Sequence, residues 1–455
     1  MKLFKIVLLA IVVILAIVVY LQYPRLNIIA GYAAKNMSSN VFLANRPVDS
    51  INAIDNAVPS IKLAKTTVDF DTKITTSSVF GLLKRKVLYR EGQGAVVIDD
   101  DFDIHQPFLI PKRSEHSSEL PFPYGNGSAK DTVFSNVNYT DLQTAVDSAF
   151  IENHRPFLKK TRSVVVIYKD QIIAEKYAEG FDQNTRFLGW SMAKSVLATT
   201  IGVLEKKQGF DIHKPISELL DLKEWQQDNR ASISTHHLLK MTSGLKWEED
   251  YTKISDVTKM LFLERDMTKA QASKALEFAP GSHFNYSSGT TNLMSGVLRS
   301  QFKTHQEYLD FPYTELIDKI GMHSMVLETD MAGNYVGSSY AWATARDWAK
   351  FGLLYLHKGN WNGTQVFNDS WAEYTAKPTA ASNYSYGSQF RTSTLEEFPN
   401  VPKDMYFAYG YHGQFTIIIP SMDLVVIRLG LTHEDKKDIY TYANKLIKNV
   451  IYSIY

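Results

Sequence analysis

A serine and a lysine three residues apart, Ser191 and Lys194, open the apolar run "FLGWSMAKSVLATTIGVL" at residues 187–204. In a helix this spacing puts both side chains on one face, about a turn apart, so the hydroxyl and the amine point the same way. Ser191 stands where the helix would begin, among free backbone N–H groups and at the positive end of the helix dipole, a setting that favours negative charge. The chemistry this allows is nucleophilic attack by Ser191 with Lys194 as its base. A lysine of ordinary pKa, about 10.4, can do this only if its surroundings lower that value by roughly 3 units, about 4 kcal/mol of differential interaction. Two other readings compete. Serine is a common helix N-cap, and Ser-x-x-Lys arises by chance in long chains. "GWSMA" also approximates the Gly-x-Ser-x-Gly elbow of α/β-hydrolases, but that fold needs an apolar strand running into the elbow. Here "GFDQNTRFLGW" is polar and turn-like.

A lysine-assisted serine needs a second proton-handling group, and tyrosine beside a cation suits the role. Tyr286 lies in "APGSHFNYSSGTTNLMSGVL", residues 279–298, in a Pro-Gly-bounded turn before a helix with apolar Leu293, Met294, Val297 and Leu298. A second oxyanion donor should be a backbone N–H on an edge strand, where glycine permits close approach of substrate. "YHGQFTIII" supplies Gly413 at the head of such a strand, the Gln414 N–H, and His412 beside them. Other polar residues read as structural. Thr344 and Asp347 form a capping-box-like start to "ATARDWAKFGLLYL", and Thr242, Ser243 and Gly244 build a turn. Trp247 and Tyr251 are candidates to line a pocket, against ordinary aromatic packing. His236 and His237 adjoin each other without metal-ligand spacing, so no metal and no other cofactor is assigned.

Several elements must position these groups. Lys2 and Lys5 precede an unbroken apolar run from Ile6 to Leu21, followed by Gln22, Tyr23 and Pro24. About 16 residues exceed most signal-peptide cores and approach the ~20 that cross a bilayer. The expectation is a signal anchor over residues 1–24, a transmembrane helix with its lysines cytoplasmic and the rest exported; cleavage, and so secretion, is the alternative. Residues 25–126 are expected to form a tether with some order and a small strand-rich region between Ser60 and Gln106. The Pro, Gly and Ser of "PFPYGNGSAKD" then mark a boundary near Gly127. In residues 127–455, antiparallel hairpins are expected at Ser163–Tyr168 with Gln171–Tyr177 and at Phe415–Ile419 with Leu424–Leu429. They enclose a mostly helical middle and precede a C-terminal helix. This pattern is α+β. The formal charge of +1 gives no reason to expect a nucleic-acid partner, and the absence of cysteine excludes disulfides and thiol chemistry. Sequons at Asn126, Asn138 and Asn383 carry meaning only in a eukaryotic secretory setting.

In chain order, Ser191-Met-Ala-Lys194, Tyr286-Ser-Ser288 and Tyr411-His412-Gly413 resemble the SxxK, YxN and KTG motifs of class C β-lactamases, related DD-peptidases and esterases. "HHLLKMTSGLKWEEDY" (236–251) and "SSYAWATARDWAKFGLLYL" (338–356) look like further stretches of that family, especially the branch holding 6-aminohexanoate-dimer hydrolases. The resemblance runs from about Val165 to Leu431. It implies a β-lactamase/DD-peptidase-like fold, an antiparallel sheet flanked by helices plus an all-helical region, with the site between them. It also implies Ser191 as the acylated nucleophile, Lys194 and Tyr286 as coupled base, and the N–H groups of Ser191 and Gln414 as oxyanion hole. Ser288, His412 and Gly413, with Tyr251, fall at substrate-binding positions. Ser288 replaces the asparagine of YxN, and Tyr411-His412 replaces the Lys-Thr of KTG, so ester or amide hydrolysis is expected with weak or no β-lactamase activity. A non-catalytic cell-wall peptide-binding protein that keeps the fold is the alternative from another class.

Overall fold

The computed structural model describes residues 2–455 apart from 115–118, Asn126, 153–157, 394, 395, 397, 434 and 435. The sequon at Asn126 therefore lies outside the described residues.

The chain opens with helix α1, Lys2–Phe42. The expected transmembrane helix is not matched: among the described residues no helix is long and apolar enough to cross a membrane. Helix α1 runs through Pro24, which ends the apolar run, and on to Phe42. Tertiary packing explains the continuation. Ala30, Ala33, Ala34 and Met37 are fully buried, and Ile28 and Ala34 share a core with Val87, Val97, Leu261 and Phe262. The strand-rich region is a four-stranded antiparallel sheet of β1 (Ala64–Asp69), β2 (Ile74–Val79), β3 (Leu82–Arg90) and β4 (Gly94–Ile98). Glu328, fully buried, fastens this unit to the rest of the chain. Its carboxylate pairs with Lys35 at 2.5 Å and accepts from Ser39 Oγ, Ala95 N and Trp342 Nε1.

The elements of the larger part that position the site include α2 (Tyr139–Ser148), β5 (Thr161–Tyr168), β6 (Gln171–Tyr177), α3 (Met192–Gln208), α4 (Asp256–Leu263), α5 (Ser288–Ser300), α6 (Ala345–Leu356), β7 (Arg391–Thr392), β8 (Tyr406–Gly410), β9 (Gln414–Ile419), β10 (Leu424–Gly430) and α7 (Lys436–Tyr452). The six strands form one antiparallel sheet in the order β7-β8-β9-β10-β5-β6. Both expected hairpins are present. Lys169 and Asp170, with φ of 46° and 62°, make the tight turn of the first.

Alternation along the strands assigns the two faces. Val164, Val166, Ile417 and Val426 pack with Tyr440, Ile447 and Val450 of α7 and with Leu142 and Val146 of α2. Val165, Ile167, Ile418, Val425 and Ile427 pack with Val196 and Ile201 of α3 and Trp348 of α6. The strands are apolar on both sides because both sides are covered. Thr344 caps α6, accepting from the Asp347 N–H as its sequence suggests. Helix α3 thus starts at the junction of the sheet with the helices around α4 and α5, which is where Ser191 lies.

Candidate active site

Ser191 is the N-cap residue of α3, and its side chain makes no capping hydrogen bond. Serine at this position ordinarily turns back to cap the helix; here the hydroxyl meets Lys194 Nζ at 3.1 Å. The residue before it, Trp190, adopts the left-handed region with φ 49°, a strained state for a bulky side chain that surroundings must hold. They do so with rings: Tyr32 of α1 stacks on Trp190 at 6.2 Å, and Tyr411, Tyr251 and Tyr340 meet it edge-on or tilted at 5.5 to 6.3 Å.

Lys194 is 1% exposed. Besides Ser191, its amine reaches Ser288 Oγ at 2.9 Å and the Ser338 carbonyl at 2.8 Å. The proton directions in this group follow from its acceptors. The Ser338 carbonyl can only accept, so one N–H of Lys194 points there. Ser288 Oγ lies 2.5 Å from Glu249 Oε1. A carboxylate accepts only, so Ser288 donates to it and in turn accepts from Lys194. Two N–H groups of Lys194 are thereby committed, and the remaining tetrahedral position faces the Ser191 hydroxyl. In a neutral amine that position holds the lone pair.

Glu249 belongs to this site, and sequence reasoning missed it. One of its oxygens also accepts the backbone N–H of Ser288, at 2.9 Å, and the indole N–H of Trp247, at 2.6 Å. Tyr251 donates to the other from 3.4 Å. Glu248 and Glu249 are indistinguishable in "KWEEDY"; only packing turns the second inward, where it also meets the N-terminal turn of α5.

Tyr286 sits across the amine, with Lys194 Nζ 5.0 Å from its ring centre. Its contact with Lys194 is through the ring face, since no hydrogen bond joins its hydroxyl to the amine among the described residues. Tyr251 is half-buried, stacked on Tyr411 at 4.9 Å and 15°.

Five expectations change. Ser288, expected to hold substrate, is fully buried between Lys194 and Glu249 and belongs to the proton network. His412 is 4% exposed and engages the Thr432 carbonyl through Nδ1. Burial, with His433 adding to it, pushes its pKa down to about 3, so it is a neutral packed ring and not a substrate contact. The α/β-hydrolase reading, which needed a histidine serving Ser191, loses its candidate. Gly413 has φ 80°, and a Cβ there would come within 2.6 Å of Arg428 Nη1, so glycine is required for the turn and for packing behind the strand. Gln414 begins β9, an interior strand between β8 and β10. Its carboxamide bonds both N–H and C=O of Gly430.

The strand edge beside Ser191 is instead β8, which β7 covers only at Tyr406 and Phe407. Gly410 ends that edge, and a Cβ on it would fall 2.0 Å from the Gly189 carbonyl. The chain of β8 is therefore pressed against the turn that carries Ser191, and Tyr411 follows at its tip.

Comparison with known proteins bears on the family and the fold. The profile of the family described as Beta-lactamase matches residues 155–446. The 6-aminohexanoate-dimer hydrolase of Paenarthrobacter ureafaciens is 24% identical over 291 residues, spanning 59% of this chain and 72% of that protein. A penicillin-binding protein homologue from Caulobacter crescentus shares the fold with a TM-score of 0.55 at 12% identity, over 69% of this chain and 97% of that one. A family VIII carboxylesterase does so with a TM-score of 0.53 at 13% identity, over 69% and 97%.

Proposed function

The chain belongs to the beta-lactamase family, and from that premise we propose that it is a serine hydrolase that cleaves an ester or amide, including amides of D-amino-acid peptides, through an acyl-enzyme. The observation that carries the reading is the Lys194 amine, with two positions committed to Ser338 and Ser288 and its third aimed at Ser191.

In acylation, Ser191 Oγ attacks the scissile carbonyl carbon as its proton passes to Lys194 Nζ, and the carbonyl oxygen becomes an oxyanion. The cation that forms on Lys194 is stabilised through Ser288 by Glu249, so the carboxylate acts at one remove. The oxyanion accepts from the N–H of Ser191 at the helix start and, in place of the Gln414 N–H, from that of Tyr411 at the tip of the β8 edge. Lys194 then returns the proton to the departing nitrogen or oxygen, with the ring face of Tyr286 beside the amine. Water attacks the resulting ester, giving its proton to Lys194, and Ser191 recovers a proton as the acid leaves.

Turnover of β-lactams is expected to be weak or absent. The cation and hydroxyl of a Lys-Thr pair are replaced by Tyr411 and by a His412 that is buried and neutral. A relative that hydrolyses 6-aminohexanoate dimers and a carboxylesterase of the same fold support amide or ester chemistry.

The N-terminus supports attachment to a membrane with the hydrolase part exported. Lys2 and Lys5 are followed by apolar side chains that stand in solvent, Phe4, Ile6 and Leu9 being 72%, 63% and 64% exposed. Recovery of the protein in the soluble fraction of cells, with its mass unchanged, would refute this.

The direct test is intact mass after incubation with chromogenic esters, D-amino-peptides and β-lactams. An acyl adduct on the wild type that is absent from Ser191→Ala supports the mechanism. Failure of Ser191 to label, with folding intact, would instead indicate a binding protein that keeps the fold without turnover.

A further inference from the structure

A cavity of about 220 Å³ lies apart from Ser191, between the end of β3, residues 331–333 and the stretch 102–109 that follows β4. Leu88, Phe102, Phe108 and Met331 make its walls apolar, and Arg90 is the one charged side chain that lines it among the described residues. His305 lines it as well, but its Nε2 donates to the Gly333 carbonyl at 2.9 Å and burial lowers its pKa, so that ring is neutral. The stretch over the cavity is tied down. Gln93 donates to the Leu109 carbonyl, Gln306 donates to that of Ile110 at 2.9 Å, and the Lys112 N–H meets Asp310 Oδ1 at 2.7 Å. Phe108 and Leu109 nevertheless stay 42% and 41% exposed, so the rim offers apolar surface to water.

Arg90 is 5% exposed, and burial lowers its pKa only to about 10, so it is charged at neutral pH. Its guanidinium bonds through Nη2 alone, to the Thr329 carbonyl at 3.2 Å and to Thr329 Oγ1 at 2.7 Å. Nε is enclosed with no partner. Nη1 also lacks a partner among the described residues, yet it is not one of the enclosed atoms, so it borders the open space of the cavity. No carboxylate pairs with Arg90 among the described residues. Its charged neighbours are Asp330 and Glu328, but Lys35 engages Glu328, and Asp330 accepts the N–H groups of Met267 and Asn334, each at 2.9 Å. Buried charges are normally paired and buried donors bonded. Arg90 is therefore a cation without a bound anion in an otherwise apolar hollow.

Charge and size together define what fits. An apolar cavity of about 150 Å³ already holds benzene, so this one has room for a ring or short chain with a head group. One free guanidinium nitrogen matches a carboxylate, which carries a single charge and only accepts. A phosphate brings more charge and more acceptor oxygens than these walls meet with donors. We propose that this cavity binds a small carboxylic acid with an apolar body, at a site separate from the hydrolase centre. Its carboxylate accepts from Arg90 Nη1, and its body packs on Phe102, Phe108 and Met331, taking the apolar rim out of water. Arg90, Phe102 and Phe108 precede the family-matched residues 155–446, so the site belongs to the junction between the N-terminal sheet and the hydrolase part.

The probe is phenylacetate, with 2-phenylethanol as the same ring on a neutral head, each titrated calorimetrically into the full chain. Wild type is expected to bind phenylacetate saturably and at least tenfold tighter than 2-phenylethanol, with a matching rise in Tm. Arg90→Gln should erase that preference. Met331 is partly buried against Leu88, and Met331→Trp leaves Arg90 in place while filling the space, so it should abolish binding of both compounds with the far-UV circular dichroism unchanged. Where Arg90→Gln does not fold, the wild-type pair and Met331→Trp decide the outcome. No saturable binding of phenylacetate to wild type, equal affinity for the two compounds, or binding undiminished in Met331→Trp overturns the proposal.

Discussion

Glu249→Gln isolates the part of the site that no motif announces. The carboxylate accepts from Ser288 Oγ at 2.5 Å, Ser288 N at 2.9 Å and Trp247 Nε1 at 2.6 Å, with Tyr251 at 3.4 Å. Glutamine keeps the shape, removes the charge and offers one accepting oxygen. If that oxygen faces the Ser288 hydroxyl, the amide N–H groups oppose the N–H donors of Ser288 and Trp247. If it faces those donors, the amide donates to Ser288 Oγ, whose own proton must then turn towards Lys194 and contest the amine's N–H. Either orientation forfeits at least one charge-assisted bond, worth about 1.5 to 3 kcal/mol, and the field that favours a cation on Lys194 during acylation. A loss of about 2 to 4 kcal/mol in the transition state corresponds to roughly 30- to 1,000-fold in kcat/KM. The assay is kcat/KM on a chromogenic ester, with near-UV circular dichroism as the check on folding. A Glu249→Gln enzyme within threefold of wild type would refute the relay.

Ser191→Ala should abolish ester turnover and Lys194→Ala should cost nearly as much, because groups acting as one unit do not add; comparable residual rates in steady-state assays check this. Gly410→Ala places a Cβ 2.0 Å from the Gly189 carbonyl and should displace the Ser191 turn, lowering kcat at least tenfold and stability by about 1 to 3 kcal/mol; unchanged kcat and Tm would contradict the packing of β8. For pH, the His412 pKa is about 3 in the fold, against about 6.5 unfolded, so the unfolded chain alone takes the proton between them. Stability should fall as pH drops from about 6.5 towards 3, by at most about 4 to 5 kcal/mol from this group. His412→Asn, which suits the left-handed φ of 63°, should flatten the Tm-against-pH curve over that range, and an equal slope would sink the assignment. Lys35→Met leaves Glu328 buried without its cation, and urea unfolding should show a loss of about 3 to 5 kcal/mol.

Local signals carried much of this. The short apolar, β-branched runs of β5, β6, β9 and β10 and the helical spacing of α7 announce themselves in residue types, because each element must bury its apolar surface whichever partner covers it. Ser191 and Lys194 are legible for a similar reason: both lie within one helical turn, so their meeting is fixed by local geometry. Relations across the chain were decided elsewhere. Lys194, Ser288, Glu249 and Ser338 come from four separate segments, and only their packing reveals that Ser288 serves the amine. His412, Gly413 and Gln414 match a motif in order, yet sheet order puts β9 inside and β8 at the edge, a fact about strand neighbours that no short stretch encodes. Helix α1 continues past Pro24 because side chains far along the chain, among them Val87, Val97, Leu261 and Phe262, cover its Ile28 and Ala34. Residue types thus determined which chemistry was available and which elements could form, while contacts between distant segments decided which groups share protons and which strand edge meets the nucleophile.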